Sequence, residues 1–254
     1  MNLKKAGNIK YKRFGFSVNE CFLSENTLLD AQINYFIQCP FNVNGRLTEF
    51  YTLLVDLKEP IETILHNIYD RTRSEIKSFI SNQNYEYKLE FNLSENNLND
   101  FIKMFNEFAK HKNIRYAEAF RLKAYNSNSL LAVSYIKQNN QYITINFYRV
   151  TSERATNLYS FHLKHKLNPH FNNSHFGRAH RALHWLDIME FKKLKVSFYD
   201  FCGWYNGSED KTLLNINKFK EQFTHFKIKE YSGVIYKNKL LLFIKKLKAQ
   251  WNLI

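Results

Sequence analysis

The chain has 254 residues, 44% hydrophobic and 17% aromatic, far more apolar material than a disordered chain carries. With only 7 glycines and 3 prolines, collagen-like, linker-rich and turn-built architectures are excluded. Lys and Arg total 37 against 23 Asp and Glu, a net charge of +14. That excess suits a solvated basic surface or a polyanionic ligand, either nucleic acid or a small molecule bearing several phosphates. Cys21, Cys39 and Cys202 form no CxxC pair and are too widely spaced for a zinc knuckle, so a reduced, cytoplasmic setting is expected. No apolar run follows Lys4 and Lys5, and no stretch reaches the ~20 apolar residues of a membrane span.

The first clear element in chain order is the apolar run 47–56, LTEFYTLLVD, a buried strand. Pro60 suits a first helical turn, because its missing N–H would have no partner there. Ile61, Ile64, Leu65, Ile68 and Thr72 then share a helical face that continues to Ile76 and Phe79, with Arg71, Arg73 and Lys77 opposite. Tyr85 to Phe91 alternates as a strand, and Ser94 is an N-cap for a helix carrying Leu98, Phe101, Ile102, Phe105 and Phe108. Phe120 to Tyr125 and Leu130 to Ile136 read as strands, the latter turning through 138–141 into Tyr142 to Tyr148. Residues 152–167 are helical or mixed, with 158–163 equally readable as a strand. After a polar loop at 168–175, Gly177 opens a helix over 178–195. A short strand at 197–201, a helix at 213–223 and a closing hairpin, 227–236 with 239–247, complete the chain. This alternation predicts a mixed α/β fold, a twisted mixed sheet flanked by helices. Any seam between halves falls near 110–115, giving 1–112 and 113–254.

Three constellations could carry chemistry. In the first, Gly177, Arg178, Ala179, His180 and Arg181 open a helix, where free N–H groups and the helix dipole favour a phosphate. The alternative is an ordinary helix start with solvated arginines. In the second, Asp200 sits within the apolar strand Tyr199-Asp200-Phe201, ahead of Cys202, Gly203 and Trp204. Burial would raise its pKa towards that of a general base, unless it merely caps a nearby loop. In the third, Asn217 and Lys220 share a helix face away from Ile216, Phe219 and Phe223, which is commonly only a solvated basic face. No G-x-S-x-G, Walker loop or G-x-G-x-x-G occurs. His162, His165, His170 and His175 have no carboxylate at ligand spacing, so no metal is expected.

Taken in order, these segments resemble the GNAT acyltransferase superfamily, and within it the FemAB-like branch and related N-acyltransferases of bacterial surface-sugar pathways. Thr52–Leu57 followed by Thr72-Arg73-Ser74-Glu75-Ile76 is similar to a FemAB-type "VDL…TR…I" segment. Gly177-Arg178-Ala179 to Trp185, Tyr199-Asp200-Phe201 and Phe219 to Phe223 resemble "GRAN…LHW", "YDFGG" and "FKxxFG". Ser174 replaces the Gln or Arg of the superfamily's pyrophosphate loop, and Cys202 and Thr224 replace glycines. The resemblance implies two GNAT-like halves, an acceptor side at 1–112 and an acyl-CoA side at 113–254. It implies that Gly177, Arg178, Ala179, His180, Arg181 and Asn217 bind coenzyme A and that Asp200 and Lys220 are catalytic. Tyr199, Trp204 and Arg73 would contact the acceptor, a nucleotide-linked amino sugar such as a dTDP-3-amino-3,6-dideoxyhexose. Two alternatives stand beside it. A FemAB-type aminoacyltransferase would use aminoacyl-tRNA on a cell-wall precursor, although no pair of long antiparallel helices with heptad periodicity is seen. A non-enzymatic nucleic-acid-binding protein would need its basic residues gathered on one surface, whereas here only 237–248 is locally dense.

Overall fold

The computed structural model describes residues 3–4, 7–24, 29–81, 84–164 and 173–237. The second strand of the closing hairpin, 239–247, lies outside them, as do His165, Pro169 and His170. The chain forms two compact units, residues 1–5 with 52–228, and 6–51 with 229–254. These cuts fall elsewhere than 112/113. Among the described residues there are ten strands and six α-helices, the mixed α/β class expected.

The smaller unit holds β1 (Gly7–Arg13), β2 (Phe16–Phe22) and β3 (Ile33–Cys39), with the later part of β10 (Phe226–Tyr236). Phe14 and Gly15, both at positive φ, turn β1 into β2. β2 runs parallel to β3, and β10 antiparallel to it. Cys21, Phe36, Cys39, Val43, Leu47 and Ile235 form its core. β10 falls where the sequence places a strand, whereas β1, β2 and β3 are not evident in it, because Asn19, Glu20 and Asn34 occupy buried positions and break the apolar alternation.

The larger unit takes β4 (Thr48–Asp56) from residue 52 onwards, then α1 (Ile61–Asn67), α2 (Asp70–Ser81), β5 (Glu86–Phe91), α3 (Glu95–Lys112) and α4 (Ala119–Ser127). β6 (Leu131–Gln138), β7 (Gln141–Val150), β8 (Arg154–His162), α5 (Asn173–Lys193), β9 (Phe198–Asp200) and α6 (Lys211–Glu221) follow. Its strand order is β4-β9-β8-β7-β6-β5, antiparallel throughout except for the parallel pair β8 and β9. Ser94 caps α3 as expected, accepting from the Asn97 N–H. Asn139 and Asn140 adopt the positive φ of the expected tight turn.

Four expectations need correction. The helix expected over 61–80 is two helices, broken where Ile68 becomes extended (ψ 137°). Residues 119–127 are helical instead of extended, since Ala119, Leu122, Lys123 and Ala124 favour helix and Leu122, Ala124 and Tyr125 are buried together. Residues 154–162 take the strand alternative, and α5 starts at Asn173, ahead of Gly177.

Helices cover both faces of this sheet. On one face Phe101, Phe105 and Phe108 of α3 meet Tyr135, Phe147, Tyr159 and Phe161, with the Phe105 and Tyr159 rings 4.5 Å apart. On the other, Trp185, Ile188 and Phe191 of α5 pack with Ile64, Ile68 and Ile76 over Ala132, Tyr148, Ala155 and Tyr199. Each such aromatic removed from water contributes roughly 1.5–3 kcal/mol.

Candidate active site

The site arises because β9 is shorter than its neighbour. The β8–β9 ladder ends at the pair Thr156–Asp200. Beyond it the chain leaves β9 through Cys202 and Gly203, both at positive φ, while β8 continues to His162 against β7. Between the pairs Phe147–Tyr159 and Tyr148–Asn157, Leu158 is an extra residue on β8. This bulge switches the alternation, so Asn157, Leu158 and Ser160 all face the gap. Asp210 caps α6 by accepting from the Thr212 and Leu213 N–H groups, and α6 closes the gap. The result is a cavity of about 600 Å³ beside β8. His180, His184, Phe219 and Lys220 complete its wall, and no Asp or Glu among the described residues lines it.

Of the expected site residues, His180 and Lys220 meet at this cavity. The Lys220 ammonium donates to the carbonyls of Cys202 and Gly203, fixing the turn after β9. Burial lowers its pKa, partly opposed by Cys202 and Asp200. Burial also depresses His180, to about 3, with smaller contributions from His162 and Arg181. Its ring stacks on Phe219 at 5.2 Å.

The other expected residues lie away from the cavity wall. Tyr199 and Phe201 face His184, so strand alternation turns Asp200 to the opposite side. Asp200 Oδ1 accepts from the Thr52 hydroxyl at 2.5 Å and the Cys202 N–H at 2.7 Å. Its Oδ2 lies 3.4 Å from both Arg154 Nη1 and Thr156 Oγ1. Asn217 clamps the backbone of Tyr205, accepting from its N–H at 3.1 Å and donating to its carbonyl at 2.7 Å. Trp204 packs at the edge of the core with Lys227 Nζ 5.4 Å from its ring. Arg73 caps the end of α1 by donating to the His66 and Ile68 carbonyls at 2.6 and 2.7 Å, and it pairs with Asp70.

Gly177, Arg178 and Ala179 lie inside α5, which begins at Asn173, and so do not form its first turn. A Cβ at Gly177 would stand 3.1 Å from Arg181 Nη1, so the glycine makes room for that side chain. Arg181 in turn bonds Gln222 at 2.9 Å and pairs with Glu75 at 3.3 Å. Ala179 is fully buried with Phe79 and Ile136. Arg178 lowers the pKa of His175, though burial of that ring is the larger cause.

Behind the cavity lies a polar network that sequence reasoning missed. Ser160 Oγ is 2.5 Å from both Asn146 Oδ1 and His180 Nε2, and 3.4 Å from His184 Nε2. His184 Nδ1 is 2.5 Å from the Tyr199 hydroxyl, which is 2.8 Å from that of Tyr148. Tyr148 donates to Asp187 Oδ2 at 2.6 Å. Ser134, Asn146 and Tyr87 also donate to Asp187, at 2.8, 3.0 and 3.0 Å. Burial raises Asp187 to about 7, against the lowering effect of these donors. Burial also holds His184 well below its ordinary value. The sequence does carry a signal, since His180, His184 and Asp187 recur at helical spacing on a face whose neighbours are Leu183, Ile188 and Phe191.

Among the described residues no group of three His, Cys, Asp or Glu could hold a metal ion, and no helix is long and apolar enough to cross a membrane. No known protein family matches the chain, and no curated protein matches its sequence. Solved structures do match its fold. FemX aligns at a TM-score of 0.60 and 9% identity, over 93% of this chain and 86% of FemX. The C-terminal domain of a putative lysylphosphatidylglycerol synthetase from Agrobacterium fabrum aligns at 0.52 and 12%, over 82% and 69%. L-PGS from Bacillus licheniformis aligns at 0.50 and 11%, over 80% and 67%. The chain thus has the fold of these proteins.

Proposed function

We propose that this protein is a group-transfer enzyme, an N-acyltransferase carrying an acyl group from acyl-CoA to the amine of a nucleotide-linked amino sugar. The observation that carries this reading is the cavity where β8 runs on past β9, bulged at Leu158 and closed by α6. An extended acyl-thioester arm fits beside a strand that has lost one neighbour, and backbone N–H groups there would stabilise the oxyanion. Holding thioester and amine in attack geometry is the main source of rate, with ~7–11 kcal/mol available from orientation. His180 and Lys220 stand at the reacting end, and Arg178 lies nearer the start of α5, on the side assigned to the CoA phosphates. Asp200 and Asn217 act by holding the turn and loop after β9. The acceptor half is 1–112 and the donor half 113–254, and the amino-sugar acceptor rests on the sequence resemblance alone.

A second reading, transfer of an aminoacyl group from aminoacyl-tRNA, draws support from the likeness to FemX and from the +14 charge. Among the described residues the cavity wall holds no carboxylate, which favours a neutral acyl group over a cationic one such as lysyl. A thermal-shift titration with CoA and acetyl-CoA, with ATP and a short RNA as controls, separates the two. CoA at 100 times its Kd stabilises the fold by ~2.7 kcal/mol under the first reading. A shift with RNA and none with CoA rejects it.

A further inference from the structure

The network behind the cavity has a fixed direction. Asn146 Nδ2 faces the Asp187 carboxylate at 3.0 Å and the Tyr148 oxygen at 2.9 Å, so both its hydrogens point there and its Oδ1 faces Ser160. That oxygen only accepts, so Ser160 donates to it. His180 must then donate Nε2–H to Ser160, which leaves Nδ1 as its acceptor nitrogen. At the other end Tyr148 donates to Asp187. Tyr199 therefore donates to Tyr148, and His184 donates Nδ1–H to Tyr199, leaving its Nε2 turned towards Ser160. From cavity to carboxylate the hydrogens of His180, His184, Tyr199 and Tyr148 point the same way, and that of Ser160 rests on Asn146.

We propose that His180, Ser160, His184, Tyr199, Tyr148 and Asp187 form a proton path that takes up the proton released by the acceptor amine. The inference rests on the transferase reading given above. As the amine lone pair forms the new C–N bond, the C–S electron pair leaves with sulfur and the nitrogen's proton passes to Nδ1 of His180. The Nε2 proton moves to Ser160, and Ser160, rotating from Asn146, gives its own to Nε2 of His184. The Nδ1 proton of His184 goes to Tyr199, that of Tyr199 to Tyr148, and that of Tyr148 to Asp187. The thiolate takes a proton from water, and Asp187 returns its proton to solvent along the same chain before the next turnover. His180 is the residue that meets substrate, and the others relay.

The surroundings suit this task. Asp187 is faced by Tyr87 from β5, Ser134 from β6, Asn146 and Tyr148 from β7, and Tyr199 from β9, all neutral. Glu190 on its own helix acts on Tyr87. His180 is faced by His162 from β8, by Arg181 and His184 from α5, and by Phe219 from α6, where Lys220 shares the cavity wall. Burial, with smaller contributions from His162 and Arg181, opposes a lasting charge on His180, so a proton arriving there moves on, while a carboxylate held near neutrality can receive it and give it back.

Two measurements on the full chain test the path. In protein labelled with ¹⁵N-histidine, above neutral pH, His180 should carry its proton on Nε2 and His184 on Nδ1, and the opposite tautomer at either overturns the proposal. Tyr148→Phe and Tyr199→Phe remove one hydroxyl each at nearly constant volume. Thiol release with acetyl-CoA and the amino sugar should show kcat down about 100-fold, with KM changed by less than about twofold. A purely structural network would lower Tm but leave kcat per folded enzyme unchanged, and that result also overturns the proposal. If the tautomers are as stated but wild type turns over no acyl-CoA, the donor assignment fails while the path stands, and the same kcat comparison is then made with an aminoacyl ester donor.

Discussion

Asp200 of β9 and Asp187 of α5 are equally buried carboxylates whose side chains lie on opposite faces of the sheet, yet their surroundings give them different chemistry. Asp200 is met by a guanidinium, a backbone N–H and two hydroxyls, partners that anchor the turn at Cys202. Asp187 is met by four neutral donors, and burial pushes it up to about 7. A carboxylate bonded to a cation and to backbone holds structure. One surrounded only by neutral groups can gain and lose a proton near neutrality.

The largest test of this contrast is Asp200→Ala, which leaves the Cys202 N–H and Arg154 without their acceptor. We expect a loss of about 3–5 kcal/mol in urea unfolding, as when one partner of a buried ion pair is removed. A loss below 1 kcal/mol, roughly the worth of an exposed pair, would remove the anchoring role. Asn217→Ala strips both backbone groups of Tyr205 of their partner and should cost about 2 kcal/mol.

A pH series sharpens the other half of the comparison. The folded pKa of Asp187 lies above its ordinary 3.8, so the native state holds an extra proton between those values and stability falls as pH rises towards 7. His180, depressed from 6.5 to about 3, acts oppositely, since its contribution is present above 6.5 and is lost as pH falls. The two partly cancel between 3.8 and 6.5. Asp187→Asn removes one side, so acid destabilisation in that window should steepen by about 1.4 kcal/mol per pH unit. Urea midpoints at several pH values measure it, and an unchanged slope means Asp187 does not titrate there. The smallest effect belongs to Arg73→Met, which uncaps α1 at a cost of about 0.5–1 kcal/mol without altering turnover.

Much of the larger unit was legible because period and capping are local signals. β4, β5, α3, β6, β7, β9 and α6 fall where alternation, the 3.6-residue stripe and the cap at Ser94 place them. What escaped was what local pattern does not encode. The break at Ile68 is held by the Arg73 side chain. The helix at 119–127 stands where Phe120 to Tyr125 reads as a strand. In the smaller unit β1, β2 and β3 are hidden because buried Asn and Glu interrupt them.

The candidate site divides along the same line. His180 and Lys220 could be named from the sequence, because a helix following a strand and a lysine on the next helix repeat a recognisable order. Gly177, Arg181, Asn217 and Asp200 carry the right residue types, and only packing shows them serving Arg181, Glu75, Tyr205 and the turn at Cys202. The path to Asp187 draws on β7, β8, β9 and α5, and no window of sequence contains it. By itself the sequence determined the mixed α/β class, the basic charge and most elements of the larger unit, since these follow from composition and short-range periodicity. Tertiary structure alone decided which carboxylate meets a cation and which meets only neutral donors, because that depends on which strands bring which dipoles and charges together.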